Sequence, residues 1–322
     1  MSAQKLPIGV QSFQSLRESG YLYVDKTPYI EQLLRGKVYF LSRPRRFGKS
    51  LFLSTLAAYF RGQKELFKGL YLEKAEEELA QQEGREAWQE YTVLYLDLNT
   101  EYYRSEKDLD NILNIHLTTW EELYGKNEIE QTHSSRFKGI IERAYKKEQR
   151  EVVILVDEYD KPLYETLDNE VLNATYRGIL KGVFSVIKSS DEYLRFAFLT
   201  GITKFSKVSV FSGLNNLEDL SMDNEYAGIC GITEQELETY FSAYIRVLAE
   251  KKKRSYDETK KLLKGNYDGY CFAAEGEKVY NPFSLLNILK KGQLKNYWFT
   301  TGTPTFLVNY LKKAHYFVPN LE

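Results

Sequence analysis

Cysteine is nearly absent: Cys230 and Cys271 are the two in 322 residues. Their spacing gives neither a disulfide framework nor a paired metal-ligand motif. Histidine is as scarce, and His116, His133 and His315 are too scattered to form a metal cluster. A dominant charge is lacking too. The 44 Lys and Arg against 45 Asp and Glu leave a net charge of −1 and a pI near 6.4. That balance gives no global attraction to nucleic acid or anionic membrane and leaves open only a local basic patch. No apolar run is long enough to span a bilayer, and Met1 to Gly20 carries no stretch like a secretory signal. Repeats and low-complexity segments are also missing. With so little cysteine, the expectation is a cytoplasmic protein in a reducing compartment, with no membrane partner.

What is present is ordinary for a large globular chain: 43% hydrophobic and 28% charged residues, enough for a sizeable core and two domains. Aromatics reach 15%, mostly tyrosine, whose ring packs while its hydroxyl stays wet. Four apolar runs read as buried strands: Val38 to Leu41, Tyr91 to Leu98, Val152 to Val156 and Leu194 to Leu199. They are continuous instead of alternating, as in strands covered on both faces. Helical stretches lie between them, over 50–60, 72–89, 105–148 and 173–188. This order predicts βαβ units and a mostly parallel sheet. After about Asp223 the character changes. Thr233 to Arg254 reads as an amphipathic helix ending in four cations that complement its dipole. A short hairpin is expected from Cys271 to Tyr280, a helix from Asn281-Pro282, and another from Gly302-Thr303-Pro304. The division expected is 1–225, with a lead-in over 1–37, and a smaller, mainly helical 226–322.

The segment Arg43-Pro44-Arg45-Arg46-Phe47-Gly48-Lys49-Ser50 follows a strand and opens a helix, the context of a phosphate-binding loop. A helix N-terminus presents unpaired N–H groups and a positive dipole end. Gly48 lets the backbone curl near a phosphate, Lys49 reaches the β- and γ-phosphates, and the Ser50 hydroxyl ligates Mg²⁺. The phosphate contacts expected run from Arg43 to Leu51. Arg43 stands where the usual GxxxxGK[ST] pattern starts with glycine. The third strand ends in Asp157-Glu158, at the edge where ligands of parallel sheets bind. Asp157 is the expected Mg²⁺ residue and Glu158 the expected general base. Thr200, ending the fourth strand, is placed to touch the γ-phosphate or the lytic water; the competing reading is a strand-terminal turn. Fold and site together read as an α/β P-loop sandwich that binds ATP with Mg²⁺.

Those motifs, with Val24-Asp25-Lys26-Thr27, Val156-Asp157-Glu158-Tyr159-Asp160-Lys161-Pro162-Leu163, Phe211 to Leu217 and Asn296-Tyr297-Trp298-Phe299 followed by Thr301 to Pro304, resemble the AAA-ATPase-like family of bacterial P-loop proteins. The resemblance covers nearly the whole chain. It implies an ASCE-type core, with an added strand beside the loop strand and a catalytic Glu after the Mg²⁺ Asp, and it tolerates Arg43 in the first-glycine position. Members often add a C-terminal domain similar to PD-(D/E)xK nucleases, and this sequence is expected to stop before it. Within 157–161, Tyr159 occupies the acid position that nuclease chemistry needs. Asp25-Lys26-Thr27 reads more readily as a helix start, before Pro28, than as a nucleotide contact. Arg45 and Arg46, or Lys204 and Lys207, are candidate cations for the γ-phosphate of this site or of a partner copy.

Three functions compete on this reading. The first is an ATPase whose hydrolysis drives conformational change. The second is a slow or non-hydrolysing nucleotide-gated switch or scaffold. The third is a nucleic-acid module in which the 271–280 hairpin is the wing of a winged helix. A protein partner or a homo-oligomer is left open.

Overall fold

The computed structural model describes residues 4–202 and 210–298. Strand β1 (Val38–Ser42) leads through the basic loop into a helix over Lys49–Phe60, and β2 (Thr92–Asp97), β3 (Val152–Asp157) and β4 (Leu194–Gly201) follow, each separated by helices. A fifth strand, β5 (Glu218–Asp219), has two acidic residues and offers no apolar run to read. The order across the sheet is β2-β3-β4-β1-β5, and all the pairings are parallel. The strands beside β1 are therefore β4 and β5, with β4 between β1 and β3. The intervening strand in sequence, β2, stands at the far edge.

Period-two alternation divides the strand residues between two cores. Phe40, Leu94, Leu96, Ile154, Val156, Ala197 and Leu199 face one core, closed by helices over Glu106–Tyr124, His133–Glu148 and Glu170–Ser189. Tyr39, Leu41, Val153, Leu155, Phe196 and Phe198 face the other, closed by Lys49–Phe60 and by Phe13 and Leu16 of the lead-in helix Phe13–Glu18. β3 is buried along its whole length, which explains its unbroken apolar run.

Beyond β5 the chain adds β6 (Ile232–Thr233), helices over Glu234–Lys252 and Tyr256–Tyr267, β7 (Val279–Tyr280) and a helix over Pro282–Lys291. The hairpin expected within 271–280 takes a different form. β7 pairs antiparallel with β6, and a single bridge joins Tyr270 to Val279. These helices enclose a third core that takes in Leu22 of the lead-in, while Tyr226, Ile229, Cys230 and Val279 belong to the second. The lead-in is pinned further by Lys26, whose ammonium donates to the Gly228 carbonyl at 2.6 Å and pairs with Glu236 at 2.6 Å. The same Glu236 closes a capping box on Thr233. Asp25 accepts from the backbone N–H of Thr27 and Tyr71, and Thr27 Oγ1 from that of Leu72, so this motif ties the start of the helix Pro28–Leu33 to that of the helix over Tyr71–Glu83.

Ile154 is fully buried in the middle of β3. Ile154→Ala is expected to cost about 2–5 kcal/mol in urea unfolding, because the packed sheet between two helical layers cannot collapse onto the void.

Candidate nucleotide-binding site

The six residues 43–48 carry the chain from β1 to its helix. Gly48 sits in the left-handed region at φ 97°, and Arg46 joins it there at φ 67°. Both are costly for a residue with a Cβ, so Gly48 is required by backbone conformation. A Cβ added there would meet no atom within 4 Å, because the loop opens onto empty space. Gly48 has no side chain to cap the helix, which leaves the first-turn N–H groups and the positive dipole end to an outside acceptor. The buried Lys49 ammonium donates to the carbonyls of Arg43 at 3.0 Å and Pro44 at 3.3 Å, folding the loop around itself.

Arg43 is 1% exposed and turns away from the loop's concave side. Its guanidinium donates to the carbonyls of Ser42, Ser221 (2.8 Å) and Tyr226 (3.0 Å) and lies 4.2 Å from the centre of the Phe272 ring. Burial holds its pKa below the ordinary arginine value. Arg43 and Pro44 thus offer carbonyls to Lys49, and the arginine in the first-glycine position clamps the exit of β1 to the segment after β5. The neighbouring arginines point elsewhere. Arg46 lies 5.0 Å from the Phe283 ring. Arg45 donates to the Tyr164 hydroxyl at 2.8 Å, and its carbonyl accepts from the Trp298 indole at 2.9 Å. Phe47 is buried against Tyr270 and Phe272.

On the opposite side, β4 brings Thr200 level with Leu41 of β1 and against the end of β3. The fully buried Thr200 hydroxyl donates to Asp157 Oδ1 at 2.6 Å and accepts, at 3.4 Å, the N–H of Glu158. Glu158 has φ 50°, a left-handed conformation that strands do not supply and that turns the chain sharply at the sheet edge. Its Oε2 accepts from the Tyr164 hydroxyl at 3.3 Å. Across the β2–β3 pairing, Asp97 lies opposite Asp157; burial, then the Asp157 charge, raises its pKa above the ordinary value against the N–H of Asn99. Tyr159 is core, packed on Phe40 and Phe211, and Asp160 accepts from the N–H of Ile202.

A cavity of about 450 Å³ lies between the phosphate loop and Glu158, and the buried Asp157 and Thr200 are not among the residues that line it. Arg45 to Phe52 line one wall, and Glu158, Lys161, Glu165 and Asn99 line another. Its remaining wall comes from the lead-in (7–11) and from Ile229 to Ile232, Phe283 and Leu286. Lys161 is held by the Asn99 carbonyl at 2.6 Å. Sequence reasoning assigned nothing to Tyr164, Lys161 or the apolar far wall. A Lys-Pro pair two residues beyond Asp157-Glu158 is the local signal for Lys161. Lys26 also lines the cavity, although its ammonium is committed to Glu236. Lys204, Lys207 and Thr301 to Pro304 lie outside the described residues. Among the described residues, no group of three or more His, Cys, Asp or Glu forms a cage for a metal ion. A serine hydroxyl with one carboxylate is instead the donor set that suits Mg²⁺, which keeps water and substrate oxygens as ligands.

A family model described as "Predicted AAA-ATPase" matches residues 7–211, and the chain belongs to this AAA-ATPase-like family. The chain is also similar, at 42% identity over 325 residues, to a protein of Azotobacter chroococcum mcd 1 described as "Uncharacterized protein in vnfD 5'region". That match takes in 100% of this chain and 59% of the relative, so the chain spans about three fifths of the relative's length.

Arg43→Met should destabilise the fold by about 1–3 kcal/mol for each buried carbonyl left without a donor. Arg43→Gly, which restores the usual motif, should lower the urea midpoint as well and leave nucleotide affinity no tighter. Titration calorimetry alongside unfolding separates the two effects.

Proposed function

We propose that this chain binds ATP and hydrolyses it, with Lys49 and Glu158 as the principal residues. The observation that carries the reading is that the phosphate-loop lysine and the acid after Asp157 line one cavity, with a free helix end between them. The triphosphate tail accepts from the backbone N–H groups of residues 48–51. Lys49 exchanges its bonds to the Arg43 and Pro44 carbonyls for the β- and γ-phosphate oxygens. Its ammonium is thereby preorganised, because the two carbonyls hold it where the phosphates arrive. Ser50 and Asp157 would hold Mg²⁺, which offsets the phosphate charge. Thr200 keeps the Asp157 carboxylate oriented through its 2.6 Å bond. Glu158 takes a proton from the water attacking the γ-phosphorus, the bond to the bridging oxygen breaks, and ADP and phosphate leave.

The apolar wall supports a site for the base. Ile8, Val10, Phe283 and Leu286 line the cavity with apolar side chains, a surface that suits a purine ring. Ile8 and Val10 come from the lead-in and Phe283 and Leu286 from the last described helix, so a nucleotide bound there would touch both. Hydrolysis coupled to conformational change would act through that shared contact, against the Lys26 and Leu22 contacts that pin the two parts.

Lys49→Ala should abolish Mg·ATP binding in calorimetry. Glu158→Gln should bind Mg·ATP with unchanged affinity and lose about 10²–10⁴-fold in steady-state turnover, the share of a positioned general base. A wild-type chain that binds Mg·ATP tightly without releasing phosphate would rule out hydrolysis and leave the nucleotide-gated switch.

A further inference from the structure

Arg45, Tyr164 and Glu158 form a hydrogen-bonded chain from the phosphate loop to the acid at the sheet edge. Its polarity is fixed by chemistry. A guanidinium has donors only, so Arg45 donates to the Tyr164 oxygen, which then directs its own hydrogen at the Glu158 carboxylate. Burial first, and then the Glu158 charge, raise the Tyr164 pKa well above the ordinary tyrosine range, which keeps that hydrogen in place. One carboxylate oxygen, Oε2, is thereby engaged, and among the described residues no hydrogen bond engages Oε1.

The support behind Tyr164 is stiff. It sits on a short helix, Lys161–Glu165, with Pro162 in its first turn. The buried Asn173 side chain donates to the Leu163 carbonyl at 2.7 Å and to Thr166 Oγ1 at 2.9 Å, locking that helix to its successor. The Arg45 guanidinium also lies 5.1 Å from the Tyr164 ring centre, so stacking holds the pair together besides the hydroxyl. Glu158 needs such a restraint. Its left-handed backbone re-aims the side chain, and three rotatable bonds separate that backbone from the carboxylate.

We infer that Tyr164 is a positioning residue for Glu158, and that Arg45 makes this positioning depend on the state of the phosphate loop. The inference rests on the reading of Glu158 as general base. Arg45 belongs to the loop that receives the phosphates, so a change in loop conformation is felt at the tyrosine hydroxyl and then at the carboxylate.

The test uses Tyr164→Phe, which keeps the ring under Arg45 and removes only the hydroxyl, alone and combined with Arg45→Gln and with Glu158→Gln. With Mg·ATP as substrate, Tyr164→Phe is expected to lower kcat by about tenfold or more, as for a misplaced catalytic group, while KM stays within about twofold. In the Glu158→Gln background the same change should have no further effect. The Arg45→Gln, Tyr164→Phe double variant should be no slower than the slower single variant. An unchanged kcat in Tyr164→Phe overturns the inference. So does a loss that persists in full without Glu158, or one that multiplies with that of Arg45→Gln. Absence of wild-type turnover overturns hydrolysis and this inference together, whereas normal turnover in Tyr164→Phe overturns only the latter.

Discussion

The bond from the Thr200 hydroxyl to the Asp157 carboxylate, 2.6 Å long and sealed from solvent, is the contact on which the site's geometry depends. It exists because β4 lies between the loop strand and the acidic strand, in a register that sets Thr200 level with Leu41 on one side and against Asp157 on the other. In a parallel sheet all strand ends point the same way, so one edge collects the phosphate loop, the hydroxyl and two acids. A slip of a single residue would turn the threonine into the opposite core and face the carboxylate with an apolar side chain. The register is held by the two aromatic-rich cores, so packing far from the edge decides what the edge can do.

Much of this was legible in the sequence because the signals are local. Val152 to Val156 is a continuous apolar run, mostly β-branched, because it is covered on both faces, and Gly48-Lys49-Ser50 follows a strand because the loop must end at a helix start. What stayed hidden was set by contacts distant along the chain. Arg43 reads as a phosphate contact beside two other cations, and only the carbonyls of Ser221 and Tyr226, about 180 residues on, reveal its other task. Tyr164 has no signature of its own, since a tyrosine six residues after a glutamate is unremarkable until a turn at Glu158 folds the two together. β5 has two charged residues and no period at all. The expected hairpin is reduced on the same ground to the single antiparallel bridge of Tyr270 with Val279, because Val279-Tyr280 takes its main partner at Ile232-Thr233.

The lead-in segment illustrates a second principle. Phe13 and Leu16 belong to the core under the sheet, while Leu22, a few residues on, belongs to the core of the last helices. A stretch that contributes to two cores cannot shift against one without straining the other. The same stretch lines the cavity at Pro7 to Gln11, so its position at the mouth is inherited from both bodies it joins.

The clamp formed by Arg43 bears on how the pocket is entered. A phosphate loop that condenses only when its ligand arrives must surrender backbone freedom at that moment, and the affinity is reduced accordingly. Here the strand exit is already fastened from outside by three carbonyl contacts and a ring, and from inside by the lysine. Most of that ordering is complete once the chain has folded. The strand exit at Arg43 therefore holds its shape in the empty site, and the rearrangement left for an incoming anion is that of Lys49 and the loop residues from Arg45 onward.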